Sequence, residues 1–297
     1  LAPGTPVNLD ARDGTNNFWV RGITPDGTVG WMASQGLAVG DEQLNSLPIK
    51  LREEPISQAA PEGGATPTSA NAAEPNIDRE WPAGQISPQA YTNFLANAYN
   101  AIKGANPATL VISGAPAPTG FFGGCSGAGC DDLPFIQGMN AAGAANYMDC
   151  VGVHYNEGIV APDARSGDPR GNSGFYTRYF LPMIETYSGA FGGRVPLCFT
   201  EMGYLTPEGY GPLPGGFAWA GDVTIAQQAA WLDRAVALAQ NSGRVRLMII
   251  WNVDFTNYGA DPMAGYAMIR AGGDCPACVA LGNLLNQVQR GRATACP

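Results

Sequence analysis

Short apolar runs and amphipathic stretches alternate along the chain from residue 74 onward, and their order predicts an architecture. Residues 88–104 set Tyr91, Leu95, Ala98 and Ile102 on one stripe, the pattern of an amphipathic helix. Residues 109–113 (TLVIS) read as a strand, 132–145 as a helix capped by Asp131, 149–154 as a strand and 175–187 as a helix. The run 195–200 is rich in β-formers and bounded by turn residues, which fits a strand buried on both faces. A helix over 224–241, a strand over 245–251 and a last helix over 278–289 complete the series. Strands alternating with helices of this length imply parallel βαβ units. Four strands are expected after residue 74, whereas a closed (β/α)8 barrel places eight in roughly 250 residues.

The first 40 residues follow a different pattern. Residues 18–23 and 28–33 read as strands, joined by Thr24-Pro25-Asp26-Gly27, with Pro and Gly where a hairpin connection needs them. The stretch DGTNNFWVRGITPDGTVGWMASQGL resembles the second half of a bacterial SH3-like domain, through Trp19 and the Gly30-Trp31 pair. That resemblance implies a partial SH3-like β-module over 1–40, of a kind that binds cell-wall peptide or glycan; a structural spacer is the alternative. Residues 41–55 are mixed and polar, and 56–73 (ISQAAPEGGATPTSANAA) hold little that could form a core. Residues 41–73 are therefore expected to be a linker, and 74–297 the α/β domain.

Charge and cysteine content change the picture next. A net charge of −9, from 16 basic and 25 acidic residues, argues against a nucleic-acid partner. No run reaches the roughly 18 apolar residues of a membrane span. Among 7 cysteines, Cys125–Cys130 and Cys275–Cys278 are close pairs in Gly- and Pro-rich loops, which suggests disulfides and an oxidising compartment. One zinc site made from both pairs is the alternative, although no histidine flanks them. Cys150 and Cys198 lie in apolar strands and read as inert core residues. The odd count leaves at least one cysteine without an internal partner. The opening LAPGTPVNLDARDG carries neither the basic nor the apolar segment of a secretion leader. An extracellular or cell-surface location is expected from the cysteines alone.

Polar and aromatic residues stand at the strand ends, where α/β enzymes place their chemistry. Glu201 follows the run 195–200, His154-Tyr155-Asn156 closes the second strand, and Trp251-Asn252 closes the fourth. Upstream, Glu74-Pro75-Asn76 precedes a helix. Two carboxylates across a sugar-sized cleft are what glycoside hydrolysis needs. One protonates the leaving oxygen, and the other attacks the anomeric carbon or activates water. Aromatic rings supply flat faces for the C–H bonds of a pyranose. His154 is the only histidine, so a Ser-His-Asp triad or a multi-histidine metal site is hard to assemble. The loop 121–131 (FFGGCSGAGCD) is glycine-rich but lacks the lysine of a phosphate loop, and reads as a stapled surface loop.

Four stretches, EPNIDREW at 74–81, VGVHYN at 151–156, CFTEMGY at 198–204 and IIWNVDFTNYGADPMAGYAMI at 249–269, carry a second resemblance. In order and spacing they resemble the last five strands of retaining glycoside hydrolases on (β/α)8 TIM barrels, a clan with cellulase-like and β-xylosidase-like families. The resemblance implies Glu74 as acid/base and Glu201 as nucleophile, with carboxyls about 5–5.5 Å apart. It further implies that His154, Tyr155 and Asn156 line the site and that Trp251 is the sugar platform. Tyr204, Trp81 and Trp219 are further platform candidates. No metal or organic cofactor is implied. Two departures stand out. Ala73 occupies the position where the family has an Asn that contacts the sugar's 2-hydroxyl, and the linker lies where the fourth strand should be. The region for the first three strands is absent; a missing internal piece, completion by another chain, or a degenerate domain would each account for that. The expected function is a secreted glycoside hydrolase acting on a poly- or oligosaccharide. The alternative is a non-catalytic surface, carbohydrate-binding or scaffold protein built on a degenerate glycosidase barrel; the cell wall or a larger surface assembly is a further expected partner. Segments 158–174 and 206–222 are expected to form the cleft walls.

Overall fold

A computed structural model describes residues 6–13, 19–25, 27, 29–33, 37, 39–48, 74–82, 84–126, 129–171 and 175–294. The chain divides into two compact units, Leu1–Thr66 and Pro67–Pro297.

The first unit is a three-stranded antiparallel meander of β1 (Asn8–Asp13), β2 (Trp19–Ile23) and β3 (Val29–Ala33). The β2–β3 turn closes as its sequence predicts: Gly27 N donates to Thr24 O at 2.9 Å, with Gly27 at φ 86°. β1 was not expected, because an irregularity between Leu9 and Ala11 breaks the alternation that would have revealed it. Ala11 and Val20 are buried, and the Arg21 guanidinium forms a two-point ion pair with Asp10 across the ladder. The start of the expected linker is also folded. Asp41–Ser46 forms a six-residue helix, α1, which buries Leu44. Arg12 ties the chain beyond it to β1, its Nε donating to Leu47 O at 3.1 Å and its N to Pro48 O at 3.0 Å. The rest of the expected linker, including Ala73, lies outside the described residues, as do the side chains of Trp19 and Trp31.

The second unit is mixed α/β. Its helices are α2 (Pro88–Ala105), α3 (Asp132–Ala141), α4 (Phe180–Ala190), α5 (Ile225–Ser242) and α6 (Pro276–Thr294). They accompany a parallel sheet of order β4-β5-β6, formed by Val151–Tyr155, Leu197–Met202 and Val245–Ile250. Side chains alternate across these strands. Val151, Val153 and Tyr155, then Leu197, Phe199 and Met202, enter the core with Phe135, Met183, Tyr187 and Leu232 from the helices. Thr224 caps α5 reciprocally with Gln227: Thr224 Oγ1 accepts from Gln227 N at 3.1 Å, and Gln227 Oε1 from Thr224 N at 2.8 Å.

Several expectations are corrected. Residues 109–113 are no strand, so three parallel strands form among the described residues instead of four. They touch β4 through a single bridge, Ile112 to Cys150. Two backbone bonds join the segments, Asp149 N to Val111 O at 2.8 Å and Ser113 N to Cys150 O at 3.0 Å. Side chains take the flanking positions: Asp149 Oδ2 accepts from Val111 N at 2.8 Å, and Ser113 Oγ accepts from Gly152 N at 3.0 Å. Pro116 and Pro118 then follow, which offer no N–H to extend it. The helix expected over 132–145 ends at Ala141, because Gly143 at φ 86° turns the chain into a short 3-10 segment, Ala144–Asn146. Asp131 stands at the cap position, yet its carboxylate accepts from Phe122 N and Gly124 N of the preceding loop. Residues 175–187 begin as a 3-10 turn, Tyr176–Arg178, before α4.

Cys150 and Cys198 are not inert thiols. They form a disulfide between the adjacent starts of β4 and β5, and Cys125–Cys130 and Cys275–Cys278 are likewise bonded. Among the described residues no group of three His, Cys, Asp or Glu side chains is arranged to hold a metal ion, and Cys296 lies outside them. Among the same residues, no helix is long and apolar enough to cross a membrane. The Cys150–Cys198 bridge closes a loop with a sequence separation of 48. Replacing both cysteines with alanine is expected to cost about 2–4 kcal/mol. Urea denaturation reads this as a lower midpoint with a steeper slope, because the unfolded chain without the crosslink exposes more surface; an unchanged midpoint contradicts it.

Candidate functional site

The site begins with an irregularity in β5. Val153 pairs with Phe199, but the next residue of β4, His154, pairs with Glu201, so Thr200 is the extra residue of a bulge. A bulge re-aims the side chains beyond it. Here it sets Glu201 opposite His154, on the sheet face that does not carry Val153 and Phe199.

His154 is 3% exposed and stands between two carboxylates. Its Nδ1 lies 2.9 Å from Glu74 Oε1, and its Nε2 lies 3.8 Å from Glu201 Oε1. The carboxylates are more open, with side chains 23% and 28% exposed. Asn156 Nδ2 donates to Glu201 Oε2 at 2.9 Å. Glu74, His154, Asn156 and Glu201, separated by up to 127 positions in sequence, thus form one polar cluster.

Glu74 arrives from a loop, and buried Asn76 holds that loop in place. Its Nδ2 donates to Ala117 O at 3.0 Å and Cys130 O at 2.9 Å, while its Oδ1 accepts from Ala117 N at 2.7 Å. Glu201 is followed by Gly203, where a side chain has no room: a Cβ would lie 2.2 Å from Trp251 O. That close approach lets Trp251 N donate to Met202 O at 2.8 Å and brings Trp251 beside the end of β5.

The aromatic candidates separate sharply. Trp251 is partly exposed, its ring 6.3 Å from that of Phe255. Trp219 is partly exposed within the 3-10 segment Gly215–Ala220, with the Arg170 guanidinium 4.9 Å above its ring. Tyr155 and Tyr204 are fully buried and meet edge to face at 5.9 Å, and the Tyr155 hydroxyl donates to Arg178 O. Trp81 is buried against Tyr91 and Phe94, its Nε1 donating to Gln85 O. These three rings are covered, so none presents a face to a ligand. Segment 207–224 lines a cavity of about 680 Å³ with Pro207, Glu208, Leu213 and Asp222 among its walls, and neither Glu74 nor Glu201 borders it.

Three residues of the surroundings had no role in the sequence reading. Asn76 was one, though it lay inside the quoted EPN motif. Tyr266 also lay inside a quoted stretch; its hydroxyl donates to Asn156 O at 2.9 Å. Asp132 is buried, and its Oδ2 accepts from the hydroxyls of Tyr176 at 2.7 Å and Tyr187 at 2.9 Å. Only spatial proximity reveals the last two: Tyr266 ends a 3-10 segment and Asp132 opens α3, and each meets residues distant in the chain.

No protein family matches the chain, and no curated protein does. Among solved structures it is similar to a family 39 glycoside hydrolase from the gut symbiont Bacteroides cellulosilyticus WH2, at a TM-score of 0.47 and 17% identity. The match covers 67% of this chain and 37% of that one.

Burial pushes the Asp132 carboxyl above the usual aspartate range, against the opposing pull of the Tyr176 and Tyr187 hydroxyls. A raised value in the fold means that folding favours the protonated form. This contribution is therefore present at low pH and lost as pH rises through the folded value. Asp132→Asn keeps an acceptor for both tyrosines and removes the charge. Its Tm is expected to exceed the wild type's near neutral pH, with the gap closing in acid. A gap that widens in acid contradicts the assignment.

Proposed function

We propose that the chain is a glycoside hydrolase that cleaves a β-linked glycoside with retention, using Glu201 as nucleophile and Glu74 as acid/base. The observation that carries this reading is the placement of two part-exposed carboxylates on opposite nitrogens of one buried imidazole. The roles divide by environment. Asn156 offers Glu201 an N–H donor, which orients the carboxylate. Glu74 lies against the His154 imidazole, its Oε1 at 2.9 Å from Nδ1.

In the first step a Glu201 oxygen attacks the anomeric carbon as the bond to the leaving oxygen breaks, and the Glu74 proton passes to that oxygen. In the second, ionised Glu74 takes a proton from water. The water oxygen bonds to the anomeric carbon, and Glu201 departs as a carboxylate. Trp251, partly exposed after β6, is the ring on which the sugar stacks. The disulfides support an extracellular or cell-surface setting, and the first unit fits an SH3-like module for wall attachment.

A second reading, a non-catalytic carbohydrate-binding or scaffold protein, is favoured by one observation. Among the described residues the parallel sheet has three strands and β6 pairs on one side only. Kinetics separates the two. Glu201→Gln is expected to lower turnover of aryl β-glycosides on the order of 1,000-fold, and azide is expected to rescue Glu74→Ala as a β-glycosyl azide. Proton NMR should show the β-hemiacetal as the first product. An α-product contradicts retention, and a wild-type protein that binds but does not cleave supports the scaffold.

A further inference from the structure

Asn156 is held in an unfavourable way. Its Nδ2 faces Glu201 Oε2 at 2.9 Å, which leaves its Oδ1 buried without a hydrogen-bond partner. Turning the amide over would bring Oδ1 against the carboxylate oxygen, which is worse while Glu201 is ionised. An orphaned buried acceptor persists only where the surroundings fix the group.

The fixing group is Tyr266. It is 4% exposed, it sits in the 3-10 segment Met263–Tyr266 beyond β6, and its hydroxyl donates to Asn156 O at 2.9 Å. Burial pushes that hydroxyl far up, so it remains a donor across the working range. Its own backbone is anchored in turn. Gln228, buried on α5, donates through Nε2 to Tyr204 O at 2.7 Å and Gly265 O at 3.0 Å. Arg270 donates to Ala267 O at 3.1 Å and, from its other nitrogen, to Glu208 O at 2.8 Å. Gly265 has no space for a side chain, since a Cβ would lie 2.5 Å from Leu205 and 2.9 Å from Thr206 O.

A continuous set of hydrogen bonds therefore runs from α5 to the carboxylate: Gln228, the 265–266 backbone, Tyr266, Asn156, Glu201. We propose that Tyr266 is a positioning residue for Glu201, acting through Asn156. It touches neither carboxylate; it holds the Asn156 backbone in place, and with it the position from which the amide donor reaches Glu201. The consequence for catalysis rests on the hydrolase reading, but the effect on the Glu201 carboxyl does not.

The test is carbodiimide labelling with glycinamide at a fixed, mildly acidic pH, with peptide mapping at Glu201 and Glu74 in the same sample. The reagent adds to the protonated carboxyl, so a carboxylate stripped of its donor labels faster. Asn156→Ala is expected to raise the Glu201 rate about tenfold, and Tyr266→Phe about threefold, with Glu74 unchanged. The double variant is expected to match Asn156→Ala alone, because the two act in series. Rates that multiply to about thirtyfold overturn the relay. So does a Tyr266→Phe rate equal to the wild type's, or an equal rise at Glu74, which marks general loosening. With an aryl glycoside, Tyr266→Phe should lower kcat and leave KM in place. Absence of wild-type hydrolysis sinks the hydrolase reading and leaves the labelling result to decide the positioning role.

Discussion

A nearly buried imidazole with a carboxylate on each side is expensive to build, because ions and polar groups leave water and must be met by fixed partners. In this chain the arrangement depends on one extra residue in a strand. Thr200 breaks the β4–β5 register after Val153 and Phe199 and carries Glu201 across from His154. Had the ladder continued unbroken, Thr200 would stand opposite His154, and Glu201 would fall on the side of the sheet that holds the apolar core. The irregularity is thus the step by which a core strand delivers a charged side chain to an open face.

The remaining structure fixes that delivery. Cys150–Cys198 ties the starts of the two strands, so the register is pinned below the bulge. Asn76 makes three side-chain bonds inside the protein and holds Glu74's loop to 117 and 130. Gly203 and Gly152 allow neighbouring backbones to approach closer than any side chain would permit, at Trp251 and at Ser113. Each device acts on the backbone, and the two carboxylates keep their partial exposure.

The elements with a strong period were readable from sequence: α2, α5, and the three parallel strands, whose apolar runs end at polar residues. What escaped has physical causes. β1 hides its alternation behind a bulge. Residues 109–113 look like a strand, yet only two backbone bonds join them to their neighbour, Asp149 and Ser113 side chains take the flanking positions, and prolines stop the ladder. The Cys150–Cys198 pairing depends on strand register, which composition does not encode. Tyr155 was misplaced avoidably: it follows His154 on a strand, so it must point to the opposite face, into the core. The cluster of Glu74, His154, Asn156 and Glu201 came from motif residues in the right order, whereas Tyr266 and Asp132 act through contacts that no local pattern announces.

The most direct measurement is trapping with a 2-deoxy-2-fluoro aryl β-glycoside, which slows release of a glycosyl-enzyme. Intact mass followed by peptide mapping would then locate any adduct. The account predicts one glycosyl group, attached to the peptide that carries Glu201 and absent in Glu201→Gln. An adduct on Glu74, or steady hydrolysis of the parent glycoside with no adduct at all, would contradict it.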